Sequence, residues 1–204
     1  MKLYYFPGAC SLAPHIIAHE LGLPLELVRV DPATKRAVDG QNYRAINPKG
    51  SVPALELDDG RVLTEGPAID QFLADLVPDA DLAPPAGTFE RYRLQEWLNW
   101  VSTELHKGFG PLWASDMPAG VQRQTKDKLA ERIGYLDRHL ATSEYALGSF
   151  SVADVYAFVV LNWAQLFAID LGRWPNVARY QARIAARPAV RAAMQAEGLI
   201  AEAA

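Results

Sequence analysis

Val52-Pro53-Ala54-Leu55-Glu56-Leu57-Asp58-Asp59-Gly60-Arg61-Val62-Leu63-Thr64-Glu65 is the stretch whose reading decides the fold. Two apolar runs, 52–57 and 62–63, flank Asp58-Asp59-Gly60. An Asp-Gly pair readily takes the positive φ of a tight strand reversal, so this is a strong hairpin signal. Residues 65–77 then set Ile69, Phe72, Leu73 and Leu76 at helical spacing. Toward the N-terminus, Lys2-Leu3-Tyr4-Tyr5-Phe6 is short, aromatic-rich and stopped by Pro7-Gly8, which predicts a buried strand. Residues 11–21 carry apolar positions at helical spacing and are closed by Gly22 and Pro24. A second strand over 25–30 and a weaker helix over 34–45 complete a βαβαββα pattern, a small α/β domain over 1–80.

Toward the C-terminus, Pro78, Pro84, Pro85 and Gly87 mark a linker, placed at 81–87. Everything beyond is helical in period. One helix begins near Phe89 and holds Trp97, Leu98, Val101 and Leu105. Others are predicted over 121–140, 152–167, 177–186 and 189–195, so residues 88–204 read as an all-α domain. There is no internal repeat.

The 204 residues are half hydrophobic and 22% charged, an ordinary globular balance. A net charge of -4 gives no electrostatic footprint for nucleic acid or anionic membrane. Arg173, Arg179, Arg183, Arg187 and Arg191 recur at helical spacing and read as a solvated face. The N-terminal residues resemble neither a signal nor a transit peptide, and no window suggests a membrane span. A single cysteine excludes an internal disulfide and makes the cytoplasm the expected compartment. No metal site is expected.

That cysteine, Cys10, follows a strand and a Pro-Gly break and immediately precedes a predicted helix. Unsatisfied N–H groups and the helix dipole favour a thiolate there, so its pKa is expected to fall. The alternative is a small buried hydrophobe. Ser11 is expected to cap the helix, or else to assist a bound sulfur. If the Val52–Pro53 bond is cis, the backbone of Val52 is left open to an extended peptide; otherwise the segment is simply a loop entering a strand. Glu65, before Gly66-Pro67, is suited to hold the ammonium of a zwitterion whose carboxylate sits on the helix N-terminus, or merely favours the dipole. Asn99, Thr103 and His106 share one helix face beside Trp97 and Trp100, which read as core. Lys35 and Lys49, taken alone, are surface lysines.

Together PGACSL (7–12), NPKGSVP (47–53), TEGPAI (64–69), EWLNW (96–100), TELHKGF (103–109) and FSVADVY (150–156) resemble the glutathione transferase superfamily, most closely its bacterial Beta class. The match spans essentially the whole chain. The resemblance implies a thioredoxin-like N-terminal domain joined to an all-α helical domain, a homodimer, and glutathione as co-substrate. It implies that Cys10 contacts the glutathione sulfur and can form a mixed disulfide with it. It further implies that Val52 pairs with the cysteinyl backbone ahead of a cis Pro53, and that Glu65 and Gly66 anchor the γ-glutamyl end. Lys35 would lie near the glycine carboxylate. Asn99 and the run Thr103, Glu104, Leu105 and His106 would contact glutathione, with His106 near the sulfur. Ser151 and Asp154 match the superfamily's capping box, a folding motif. Ser51 stands where many relatives carry Gln, and Pro67 replaces a commoner Val.

The expected reaction is attack of glutathione thiolate on a small hydrophobic electrophile held in an apolar pocket between the domains, lined by Phe109, Leu112 and Trp113. Cys10, Ser11 and His106 are the expected catalytic residues. The alternative is a thiol–disulfide oxidoreductase or reductive dehalogenase in which Cys10 attacks covalently. A non-catalytic ligand carrier is a third reading.

Overall fold

A computed structural model describes residues 1–201. The chain divides into two compact units: Pro84–Ala185, and the remaining described residues on either side of it. Among the described residues no helix is long and apolar enough to cross a membrane.

In the first unit, β1 (Lys2–Tyr5), β2 (Glu26–Arg29), β3 (Ala54–Glu56) and β4 (Val62–Thr64) form one sheet in the order β2-β1-β3-β4. β1 pairs parallel with β2 across α1 (Leu12–Leu21), and antiparallel with β3, which pairs antiparallel with β4. The register aligns Leu27, Leu3, Leu55 and Leu63 on one face. Tyr4, Val28 and Ala54 point to the other, where they pack with Val30, Ala37 and Tyr43. Alternation of side chains thus buries both faces of a narrow sheet. The hairpin turns at Gly60, whose φ of 83° suits a residue without Cβ.

The helix expected over 34–45 is a correction. Only α2 (Tyr43–Ile46) is helical, and the chain before it makes turns with isolated bridges Val30–Ala37 and Arg36–Asn42. Short polar side chains there bond their own backbone: Asp31 accepts from Ala33 and Thr34 N–H, and Asp39 from Gln41 N–H. Such local bonds compete with a helix and win. α3 (Gly66–Leu76) packs on α1 and on the β3–β4 edge, completing βαβαββα.

The second unit begins with α4 (Phe89–Trp100), a wider π turn over Val101–His106 and the short α5 (Lys107–Phe109). α6 (Ala119–Leu140), α7 (Val152–Asn162) and α8 (Pro175–Ala185) follow. Every residue of α7 through Leu161 is buried, so this helix is the core of the unit. The helix expected over 152–167 instead ends at Asn162 and tightens to a 3-10 turn over Trp163–Phe167. The capping box forms as expected at Ser151 and Asp154.

α9 (Pro188–Ala196) packs on α1 of the first unit. Its buried Val190 and Ala193 supply the apolar contact, and Arg187 pairs through Nε and Nη2 with Glu20 at 2.6 and 2.9 Å. The arginine run is therefore not simply solvated. Arg173 and Arg183 also lie over the rings of Trp174 and Tyr145.

Candidate active site

Between β1 and α1 the chain is knotted by one hydroxyl. Ser11 Oγ donates to the Phe6 carbonyl and accepts from the Phe6 N–H, both at 3.2 Å, and is fully buried. The expected side-chain cap is absent, because this oxygen and its proton are committed to the end of β1. Gly8, at φ 72°, donates its N–H to Glu197 Oε2 at 2.9 Å, and the other oxygen of that buried carboxylate meets His15 Nδ1 at 2.9 Å. The loop that carries Cys10 is thereby held from both sides.

Cys10 is half-buried and donates its S–H to the carbonyl of Val52 at 3.3 Å. The expected fall in its pKa is overturned: burial, then the carboxyls of Asp70 and Glu65, push the thiol up to about 12. The N–H groups of Cys10 and Ser11 pull it down, but by less. Loss of hydration penalises the anion more than two backbone dipoles relieve it.

Val52–Pro53 is cis. Asn47 Nδ2 and the Tyr43 hydroxyl both donate to the Ser51 carbonyl, at 2.7 and 2.8 Å, which pins the turn before it. A Cβ at Gly66 would stand 3.9 Å from Pro53, so the first turn of α3 abuts the same segment. Glu65, exposed and at φ 75°, binds Lys49 Nζ at 2.5 Å, and that ammonium also donates to Thr64 Oγ1 at 2.7 Å. A carboxylate beside open helix-terminal N–H groups thus already holds an ammonium. Lys35 is half-buried at φ 54°, with no carboxylate partner among the described residues.

In the helical unit, the π turn sets the polar face. Asn99 and Thr103 are exposed and joined by a Thr103 Oγ1 bond to the Asn99 carbonyl at 3.1 Å. Glu104 is bound by Arg132 Nε at 2.9 Å. Leu105 is fully buried, so its side chain belongs to the core. His106 Nδ1 lies 2.5 Å from the Tyr156 hydroxyl and the ring packs edge-on against Trp163. Phe109 and Leu112 are likewise core, whereas Trp113 is 55% exposed and meets Phe167 edge-on. Among the described residues no three His, Cys, Asp or Glu side chains gather in a way that could hold a metal.

Residues 8–76 match the family model for the glutathione S-transferase N-terminal domain, and 101–188 that for the C-terminal domain. The chain is 46% identical to glutathione S-transferase GstA of Escherichia coli O157:H7 over 98% of this chain and all of that one. It belongs to the glutathione S-transferase family. A solved beta-class glutathione S-transferase of Sphingomonas chungbukensis superposes with a TM-score of 0.95 at 46% identity, covering 98% of this chain and 100% of that one. A sphingomonad glutathione S-transferase complexed with glutathione does so at 0.95 and 43%, with the same coverage.

Three residues of this glutathione S-transferase family member escape a reading of sequence alone. Lys49 looked like a surface lysine, and only the fold brings it to Glu65. Glu197 is 187 positions from Cys10 and reaches that loop through Gly8 and His15. Asp70 falls on the apolar stripe of α3, fully buried, with no hydrogen-bond partner for either oxygen among the described residues. Its acidic type at a core position was the one available signal. Burial holds its pKa well above the ordinary carboxyl value.

Proposed function

We propose that this chain is a glutathione transferase that conjugates glutathione to small hydrophobic electrophiles. The observation that carries it is the cluster of the Cys10 S–H on the Val52 carbonyl, cis Pro53, and Glu65 already holding an ammonium. An extended tripeptide suits that cluster: its cysteinyl backbone pairs with Val52 as an added strand. Its γ-glutamyl ammonium replaces that of Lys49 at Glu65, and its carboxylate takes the N–H groups at Gly66. Lys35 is the proposed cation for the glycine carboxylate, a role that rests on the family resemblance. Asn99, Thr103, Glu104 and His106 are proposed contacts that rest on the family resemblance, and the backbone of Leu105 is all that residue offers.

The glutathione sulfur loses its proton to solvent, forms a bond to carbon of the electrophile, and the leaving group departs with the electron pair. A free thiol is only a few per cent ionised at pH 7; lowering its pKa by about two units stabilises the thiolate by ~2.7 kcal/mol. A neutral Cys10 helps here as an S–H donor to that anion, and His106 is a second candidate group. Ser11, with its proton committed to Phe6, supports the loop and so acts on the sulfur only indirectly.

The rival reading, thiol–disulfide exchange through a covalent Cys10, draws support from the position of that thiol beside an open backbone edge. Calorimetry with glutathione tests the binding claim, and absence of heat and affinity would refute it. A Cys10→Ala variant that keeps turnover of a chloronitroaromatic favours conjugation, whereas loss of every activity favours the rival. A homodimer is proposed from the family resemblance and is checked by sedimentation. A cytoplasmic location rests on the single cysteine.

A further inference from the structure

Asp70 lies one turn into α3 on the buried stripe of Gly66, Ile69, Leu73 and Ala74. Gly66, four residues earlier on that stripe, abuts Pro53, and the carbonyl just before Pro53 receives the Cys10 thiol. Residues four apart stack on one helix face, so Asp70 lies one turn along α3 from the end that abuts Pro53. After burial itself, the Asp70 carboxyl is the group that most raises the Cys10 pKa. Among the described residues, the elements packed on α3 carry no lysine or arginine. On α1, His15 is held by Glu197, His19 lies against His15, and Glu20 is held by Arg187. On β3, Glu56 accepts from the Tyr4 hydroxyl; β4 has no titratable side chain; the 3-10 turn after α3 adds only Asp79. Nearer the sulfur, Glu65 is bound to Lys49 and Tyr43 donates to Ser51.

We propose that Asp70 is a positioning residue for Cys10 chemistry: its buried carboxyl adds to burial of the thiol in keeping the sulfur in the S–H form, so Cys10 acts as a hydrogen-bond donor and is withheld from nucleophilic attack. Two neighbouring acids, one fully buried and one half-buried, accommodate one negative charge far more readily than two. The carboxyl is the stronger acid and ionises first, after which the thiol must ionise against it. This extends the proposed function, yet it concerns Cys10 alone and can fail while glutathione conjugation stands.

Cys10 is the only thiol, so its reaction with 2,2′-dithiodipyridine is read one-to-one by released thiopyridone. The thiolate attacks one probe sulfur, the new S–S bond forms, the probe's breaks, and thiopyridone carries off the proton. Rates are measured on the full chain from pH 4 to pH 9.5. In wild type the logarithm of the rate should flatten while Asp70 ionises, then climb again. In Asp70→Asn it should rise with unit slope, matching wild type at pH 4 and exceeding it at least tenfold at pH 9. Asp70→Val should diverge in the same way. A variant-to-wild-type ratio that stays constant with pH would mean only looser packing and would overturn the proposal. Should neither variant fold, a wild-type profile of unit slope throughout overturns it alone.

Discussion

Each unit buries one aspartate completely, and the two are treated in opposite ways. Asp154, at the start of α7, accepts from the Ala146 N–H, the Ser151 N–H, the Ser151 hydroxyl and the Tyr180 hydroxyl, all within 3.0 Å. Asp70, in the first turns of α3, accepts from none of the described residues. Burial raises the pKa of both, but at Asp154 the hydrogen bonds pull back against it. The helical unit uses its buried acid to tie a cap, a loop and a neighbouring helix together. The thioredoxin-like unit leaves its own unsatisfied, a condition that costs stability. A buried carboxyl is therefore a staple or a liability according to the donors around it, not according to its depth.

That contrast can be broken most forcefully from the Asp154 side. Asp154→Ala strands three donors and leaves the Tyr180 hydroxyl only the residue-154 carbonyl, so it should cost ~3–5 kcal/mol, read as a lowered urea midpoint at unchanged slope. A loss under 1 kcal/mol would remove the contrast. Asp70→Val should act in the opposite direction, stabilising the fold by ~1–3 kcal/mol at pH 8, because an unpaired polar group leaves an apolar site.

The pH dependence sharpens the same point. Folded Asp70 holds its proton well above the ordinary carboxyl range, so the folded state binds more protons than the unfolded one above about pH 4. Stability relative to Asp70→Val is thus greatest below that pH and falls as pH rises toward the folded pKa, by about 1.4 kcal/mol per unit. Parallel curves for the two proteins would show that Asp70 is already ionised. The smallest effect is expected at Ser151→Ala, which removes one cap oxygen and should cost ~1 kcal/mol in the same denaturation series. Were it to match Asp154→Ala, the network would be acting through Ser151 alone.

Much of this was legible without coordinates. The Asp58-Asp59-Gly60 turn, the helical stripe of Ile69, Leu73 and Leu76, and the Ser151–Asp154 cap are local patterns whose energetics lie within a few residues. The stretch 34–45 misled because its weak helical period masked Asp31, Asp39 and Asn42, each of which bonds its own backbone. The polar face of Asn99, Thr103 and His106 was visible, but not the π turn that seats it. Leu105 and Phe109, expected among the lining residues, are fully buried in the helical unit, since neighbours on one helix diverge in burial within a single residue.

Sequence by itself determined the order of the strands, the hairpin and the capped start of α7, because period, turn chemistry and capping act over a handful of residues. Only tertiary structure decided the upward shift of the Cys10 pKa, the partner of Glu65 and the grip of Glu197 on Gly8. Those depend on desolvation and on contacts between residues distant along the chain, and the free energy of an ion is set by what surrounds it in space.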